Sequence, residues 1–388
     1  MKLIYSLIAA LLVMGVVSCQ KELPDLEQPE QYVVGSFSEE FEAFWNGMNS
    51  NYVFWDIDPT DWDAIYRKYK PLFAQLNINK DTDIRKAYTY YREMTANLVD
   101  SHYALVPSNN ALLDSATISP AYKRIQKRPD FHPGISERYY YNYVYPYYLG
   151  SNGLRTIDST AGTVMVSGKI SNSILYFHFS EFNLKDRFEN GKLAERQVLQ
   201  YFFNALNDNS LTGVILDLRG NGGGNLSDLN FLMGAFTDKA YTFGATRSKG
   251  GPGRLDYTPW IDAKVTPKTG AKLFTKPVVV ITDQYSVSMA EITAMAVKAL
   301  PNGNGRVVGE RTWGANGPLT SKVFYNGGQF STALFDLVYT SSQMLRYKDG
   351  VIYEGVGFPP DITATLNVPS FQSGRDNQLE RAISAVMQ

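Results

Sequence analysis

Cysteine is nearly missing from this 388-residue chain, and Cys19 is the only one. No intrachain disulfide, thiolate metal cluster or second cysteine nucleophile can therefore be built. Histidine is scarce too: three scattered residues without HExxH-type spacing give no reason to expect a metal centre. Charge of one sign is also lacking. The 37 basic residues face 38 acidic ones, which leaves no long-range field to draw nucleic acid or an acidic substrate. A glycine-rich turn, DLRGNGGGN at residues 217–225, has Asn225 where the last glycine of GxGxxG belongs, and it contains no GK[ST]. A bound nucleotide is therefore not expected. The apolar run from Leu3 to Val17 is too short to span a bilayer comfortably.

That run follows a lysine and ends in Ser18-Cys19, which fits the apolar region of a signal peptide. VVSC resembles a bacterial lipobox, in which the cysteine is lipidated and becomes the mature N-terminus; an ordinary secretory signal with an incidental cysteine is the alternative. On the lipobox reading, residues 1–18 are a lipoprotein signal peptide, Cys19 is the lipidation site, and the acidic, proline-containing residues 19–36 are a tether. The expected partner at this end is a lipid membrane. The expected location is the envelope of a Gram-negative bacterium, on the outer membrane, facing periplasm or surface.

Beyond the tether, Phe41, Phe44, Trp45 and Met48 recur at helical spacing behind a serine and two glutamates, which predicts a helix over residues 38–50. A second helix is expected after Pro59, capped by Thr60 or Asp61, and a third over residues 83–99, so 37–108 read as a helical subdomain. Residues 109–172 read as a tyrosine-rich β and linker region, because RYYYNYVYPYYLG (138–150) favours strands. From residue 173 to 388, the apolar runs SILYFHF, GVILDL and KPVVVITD alternate with helical patterns and predict an α/β core around a parallel sheet.

Within that core, KPVVVITD runs into DQYSVSMAEI, where Ser286 and Ser288 stand at the start of a helix. Two serines there suit either a cap or a nucleophile. Unpaired N–H groups at a helix N-terminus would stabilise an oxyanion formed on a substrate attacked at that point. Glycines in the 217–225 turn would let backbone N–H groups approach such an oxyanion, although a plain tight turn needs them as well. Of the histidines, His132 precedes a proline in a loop, His178 lies mid-strand as a packing residue, and His102 stands just past the third helix, where a ring can reach across a cleft.

DLRGNGGG, VVVITDQYSVSMAEI, RVVGERTWGANG and YEGVGFPPDI, in that order, resemble the successive motifs of the C-terminal processing (tail-specific) serine peptidases. DWDAIYRKY, LVDSHY and GRDNQLERAI resemble lipoprotein members of that group, which shares its fold with the tricorn core protease and, more distantly, with ClpP and crotonase proteins. The resemblance implies a ClpP/crotonase-like α/β core whose sheet is flanked by helices, with the N-terminal helical subdomain forming one wall of a cleft. It implies Ser288 as nucleophile, Ser286 as a structural serine, and an oxyanion hole made by the N–H groups of Met289 and Gly223. In members with a Ser–Lys dyad the base is the lysine of G-E-x-T-x-G-K-G; here GERTWGANG puts Ala315 at that position. The tricorn-like branch instead uses a histidine from a Ser-His pair and a glutamate near the C-terminus. Ser101-His102 and Glu354 match them, implying His102 as general base, Glu354 as its orienting acid and Ser101 in support. A PDZ domain, common in the group, is expected to be absent or vestigial, because the stretch after His102 lacks a clear carboxylate-binding glycine loop. The function implied is hydrolysis of peptides or unfolded protein segments without metal or other cofactor. The alternatives are a catalytically inactive peptide-binding lipoprotein of the same fold and a crotonase-like acyl enzyme, the latter disfavoured by an exported location.

Overall fold

The structure, a computed structural model, describes residues 35–388 apart from 151–152, 159–162 and 320–326. Cys19 and the expected signal peptide lie outside the described residues, as does all of the expected tether but Gly35 and Ser36. Helix α1 (Phe37–Asn51) starts at Ser36, whose side chain accepts from Glu39 N while the Glu39 carboxylate takes the N–H of Ser36. This reciprocal cap explains why the helix begins at Phe37, one residue before the expected start. α2 (Trp62–Phe73) is capped by Asp61, and α3 (Asp81–Met94) follows. Their apolar faces meet in an aromatic core, with Trp45 stacked on Trp62 at 4.8 Å and Phe44 edge-on to Tyr91 at 4.7 Å. That core also takes in Leu334, Phe335, Val338 and Met344 from far along the chain. Phe335 and Val338 arrive on β10 (Phe335–Tyr339), which pairs antiparallel with β1 (Ala104–Pro107). Buried Glu40 fixes the join by accepting the N–H groups of Ala333 and Leu334.

The main sheet has seven strands in the order β12-β9-β8-β5-β4-β3-β2. β4 (Ile174–Phe179), β5 (Gly213–Asp217), β8 (Val278–Thr282), β9 (Gly305–Gly309) and β12 (Ile362–Thr363) run parallel. β3 (Thr163–Ile170) and β2 (Leu154–Asp158) add an antiparallel edge, so the sheet draws on residues upstream of 173. β5 and β8 are buried along their whole length, as parallel strands covered on both faces must be. One face packs on α5 (Leu184–Asn190), α6 (Leu193–Ala205), α7 (Asp228–Met233) and α8 (Met289–Lys298), and the other on α9 (Asn377–Val386) and the tyrosine-rich segment. Separately, β11 (Gln343–Tyr347), β6 (Tyr241–Ser248) and β7 (Ile261–Val265) form a three-stranded antiparallel sheet.

The tyrosine-rich segment corrects the expectation of strands. Tyr140–Leu149 is a wide, π-type helical stretch. Tyr139 stacks on Tyr143 at 5.3 Å and Tyr143 on Tyr147 at 6.1 Å, while buried Tyr140 lies flat on His178 at 3.6 Å. Ring stacking every four residues, together with one buried face, outweighs the strand preference of single tyrosines.

At the carboxyl end of β5, Arg219 is fully buried. Its guanidinium binds Asp217 (2.6 and 2.9 Å), Asp376 (2.8 and 2.9 Å) and Gln378 (3.1 Å). Asp376 also caps α9 by accepting the N–H groups of Gln378 and Leu379. The root of the glycine turn is thereby tied to the last helix of the chain, which gives the closing GRDNQ motif its physical purpose. Arg219→Ala would strand two buried carboxylates and is expected to cost on the order of 3–5 kcal/mol in urea unfolding. Arg375→Ala breaks only the surface pair with Glu380 and should leave the urea midpoint nearly unchanged.

Candidate active site

The carboxyl ends of parallel strands are where α/β sheets place ligands, and the chain leaving β8 makes a sharp corner there. Ser286 is a strut: its hydroxyl donates to Leu218 O at 2.8 Å and accepts from Asp283 N at 3.0 Å. Ser288 caps α8 with φ +57° and ψ −113°, a conformation that side-chain-bearing residues avoid. Holding it costs of order 1–3 kcal/mol, as at the strained strand-to-helix turns that lift a nucleophilic serine out of a sheet. The Ser288 N–H is pinned to Glu291 Oε2 at 3.0 Å.

Gly223 lies directly across from this corner. A Cβ on Gly223 would come within 2.7 Å of Ser288 Cβ and 3.0 Å of Met289 N, and its φ of +91° also calls for glycine. The residues expected to form an oxyanion hole are therefore side by side. Met289 opens α8, so its N–H has no carbonyl one turn earlier within the helix. The N–H of Gly223 donates to Asn221 Oδ1 at 2.9 Å, and Asn221 in turn donates to Phe179 O.

The residues leading to His102 are held one by one. Four successive N–H groups go to side chains: Val99 to Asp58 (2.9 Å), Asp100 to the Tyr52 hydroxyl (3.2 Å), Ser101 to Glu354 (2.7 Å) and His102 to Asp100 (2.9 Å). Arg124, from α4 (Pro120–Gln126), binds the carbonyls of Leu98 and Val99 and the hydroxyl of Ser101. The His102 ring places Nδ1 3.3 Å from Ser341 Oγ, and Ser341 donates to Asp100 Oδ1 at 2.9 Å. One donor atom each from Asp100, His102 and Glu354 lie within 4.8 Å of one another. Burial pushes the His102 imidazole below its ordinary pKa, opposed by the charge of Asp100. Burial, then the charge of Asp100, push the Glu354 carboxyl well up.

A short segment joins the two halves. Gly314 N and Ala315 N donate to Glu291 (2.8 and 2.7 Å), and Asn316 N and Gly317 N donate to Glu354 (both 2.9 Å). Glu291 holds Ser288 and Glu354 holds the residue before His102, so one stretch of backbone fixes both loops. Ala315, at the position of the family's lysine, is 1% exposed.

The structure thus gathers Gly223, Ser288 and Met289 at one corner and Ser101, His102 and Glu354 at another, and links the two. Among the described residues the His102 ring hydrogen-bonds to Ser341 and not to Ser288, and Glu354 meets backbone N–H groups rather than the ring. Sequence reasoning missed Asp100, Ser341 and Arg124. Asp100 stood in the quoted VDSH stretch, but nothing near Ser341 marks it, 239 residues from His102.

His132 belongs to a different device. Its Nδ1 faces Pro133 O and its Nε2 faces Glu310 Oε2, both at 2.8 Å. Both partners can only accept, so the ring carries two protons, and the bond to Glu310 lifts its pKa to about 9. A raised histidine pKa contributes stability that is complete below the unfolded value, about 6.5. That contribution is lost as pH rises through about 9. His132→Gln should therefore lower the melting temperature at neutral pH, and the gap to wild type should close as the buffer approaches pH 10. At the Ser288 corner, Gly223→Ala should melt lower than wild type in differential scanning calorimetry, because its Cβ would press on Ser288 and Met289.

Residues 173–364 match the family described as peptidase family S41, and residues 36–83 match the tricorn protease C1 domain. The chain is 26% identical over 184 residues to the tricorn protease of Thermoplasma acidophilum; the match takes in 47% of this chain and 15% of that protein. A candidate peptidase from Parabacteroides merdae superposes with a TM-score of 0.67 at 21% identity, over 92% of this chain and 98% of that one. Mature CPAF does so at 0.59 and 10% identity, over 90% and 96%. Structural likeness at these identities speaks to the fold, which is the α/β core with an N-terminal helical region expected from the sequence. Across residues 173–364, just under half of its length, the chain is similar to the serine peptidases of peptidase family S41.

Proposed function

We propose that the protein is a lipid-anchored envelope peptidase that cuts peptides or unfolded segments with Ser288 as nucleophile, His102 as base and Glu354 as the acid behind it. The observation that carries this reading is the shared backbone segment 314–317, which holds the Ser288 corner and the His102 loop in one register. In the proposed reaction the Ser288 hydroxyl attacks the scissile carbonyl carbon as His102 takes its proton. The C–N bond then breaks, the proton passes to the leaving amine, and water releases the acyl group by the same route reversed. The charge of Asp100 favours the imidazolium formed on the way. Met289 and Gly223 would donate to the oxyanion, and losing one such donor costs about 10²–10³ in turnover. A rival reading, a peptide-binding protein without turnover, draws on the bond that occupies the Gly223 N–H at rest. Membrane attachment rests on the lone Cys19 within VVSC.

A fluorophosphonate probe applied to residues 20–388 should label wild type. Ser288→Ala should not react, His102→Ala should react at least about 100-fold more slowly, and Ala315→Lys added to His102→Ala should not restore the rate. Full reactivity of His102→Ala would overturn the assignment. In detergent phase partition of producing cells, Cys19→Ser should move the full chain into the aqueous phase; retention with the lipids would contradict the anchor.

A further inference from the structure

We infer that Asp100 and Ser341 are positioning residues that fix the His102 ring as the base, a task the family pattern would give to Glu354. This deepens the peptidase reading and rests on it.

The argument is one of proton placement. Ser341 Oγ has a single proton and lies 2.9 Å from Asp100 Oδ1 and 3.3 Å from His102 Nδ1. A carboxylate accepts and cannot donate, so the hydroxyl proton goes to Asp100. Burial pushes the Asp100 carboxyl up, but three donors converge on it, namely the N–H of His102, the N–H of Ser341 and the Ser341 hydroxyl, and this geometry favours its ionised form. Ser341 Oγ can then only accept from the ring, so Nδ1 carries the proton and Nε2 is left with a free lone pair. Nε2 is therefore the atom that can take the proton of Ser288, and Asp100 keeps its charge throughout.

Glu354 is placed differently. Its oxygens receive the backbone N–H groups of Ser101, Asn316 and Gly317, so it acts on the loops and not on the ring. Ser341, in turn, is locked. It is fully buried between β10 and β11, its N–H is bound to Asp100 Oδ2 at 2.7 Å, and a Cβ on Gly317 would come within 2.6 Å of its hydroxyl. Among the described residues, the other charged or titratable groups facing this loop are Glu354, Arg124 through Ser101, and Tyr52, Asp58 and Tyr103 around Asp100.

The test is the rate of fluorophosphonate acylation of Ser288 between about pH 5 and 9, with melting temperature alongside. Ser341→Ala should slow acylation about 10²-fold or more and move the acid limb to lower pH, because the imidazolium loses its acceptor. Asp100→Asn can donate to Ser341 and reverse the chain of protons, with a loss of up to about 10⁴-fold from the wrong tautomer. Wild-type rate and an unmoved limb in Ser341→Ala would overturn the inference, as would loss confined to Glu354→Gln. If these variants do not fold, ¹⁵N NMR of wild type decides, with the His102 signals assigned by His102→Ala. A protonated Nδ1 and bare Nε2 support the inference, and the opposite tautomer overturns it. Failure of the peptidase reading has its own signature, an unlabelled wild-type Ser288; the tautomer measurement then still decides the proton placement.

Discussion

Four successive backbone N–H groups, from Gly314 to Gly317, are divided two and two between the buried carboxylates of Glu291 and Glu354. A buried carboxylate must be hydrogen-bonded, and a buried run of N–H groups must find acceptors. Each requirement meets the other here. Because Glu291 also takes Ser288 N and Glu354 also takes Ser101 N, this local accounting sets the register between two loops far apart in sequence.

Much of the rest is arranged around that link. The strained backbone of Ser288 is kept in place by Glu291 at one end and the Ser286 strut at the other. The glycine turn approaches Ser288 within the space of a missing side chain and is rooted by Arg219 to the final helix. The β1–β10 pair brings residues 335–339 against the N-terminal helices and leaves Ser341 beside His102. The Ala315 side chain sits inside the link, buried, where the Ser–Lys members of the family have their base. In this chain the segment serves to align, and the proposed base is His102, whose ring meets Ser341 and whose loop is held by Asp58, Tyr52, Glu354, Asp100 and Arg124.

What could be read in the sequence follows from what is local. Continuous apolar runs identified β4, β5 and β8, because strands covered on both faces leave no alternation. Caps and helical spacing found α1 to α3, although the cap at Ser36 lay two residues ahead of the expected start. The order of motifs gave Ser288, Gly223, His102 and Glu354 as candidates, and the structure sets them at two linked corners. Residues 138–150 were misread because single-residue strand preference says nothing about tyrosines stacking four apart or about the buried face offered by His178. Ser341 and the Leu334–Met344 contribution to the helical core were invisible because both depend on pairing between segments more than two hundred residues apart.

The link makes a quantitative claim that can be tested alone. The most direct measurement is a double-mutant cycle on the rate of Ser288 acylation, using Glu291→Gln, Glu354→Gln and the double variant, each checked as folded by near-ultraviolet circular dichroism. If one backbone segment aligns both corners, the first substitution already loosens what the second would disturb. The double variant should then lose little more than the worse single one, a coupling of about 0.5–3 kcal/mol. Losses that simply multiply would mean that the two carboxylates act independently, and the account of a shared alignment would be wrong.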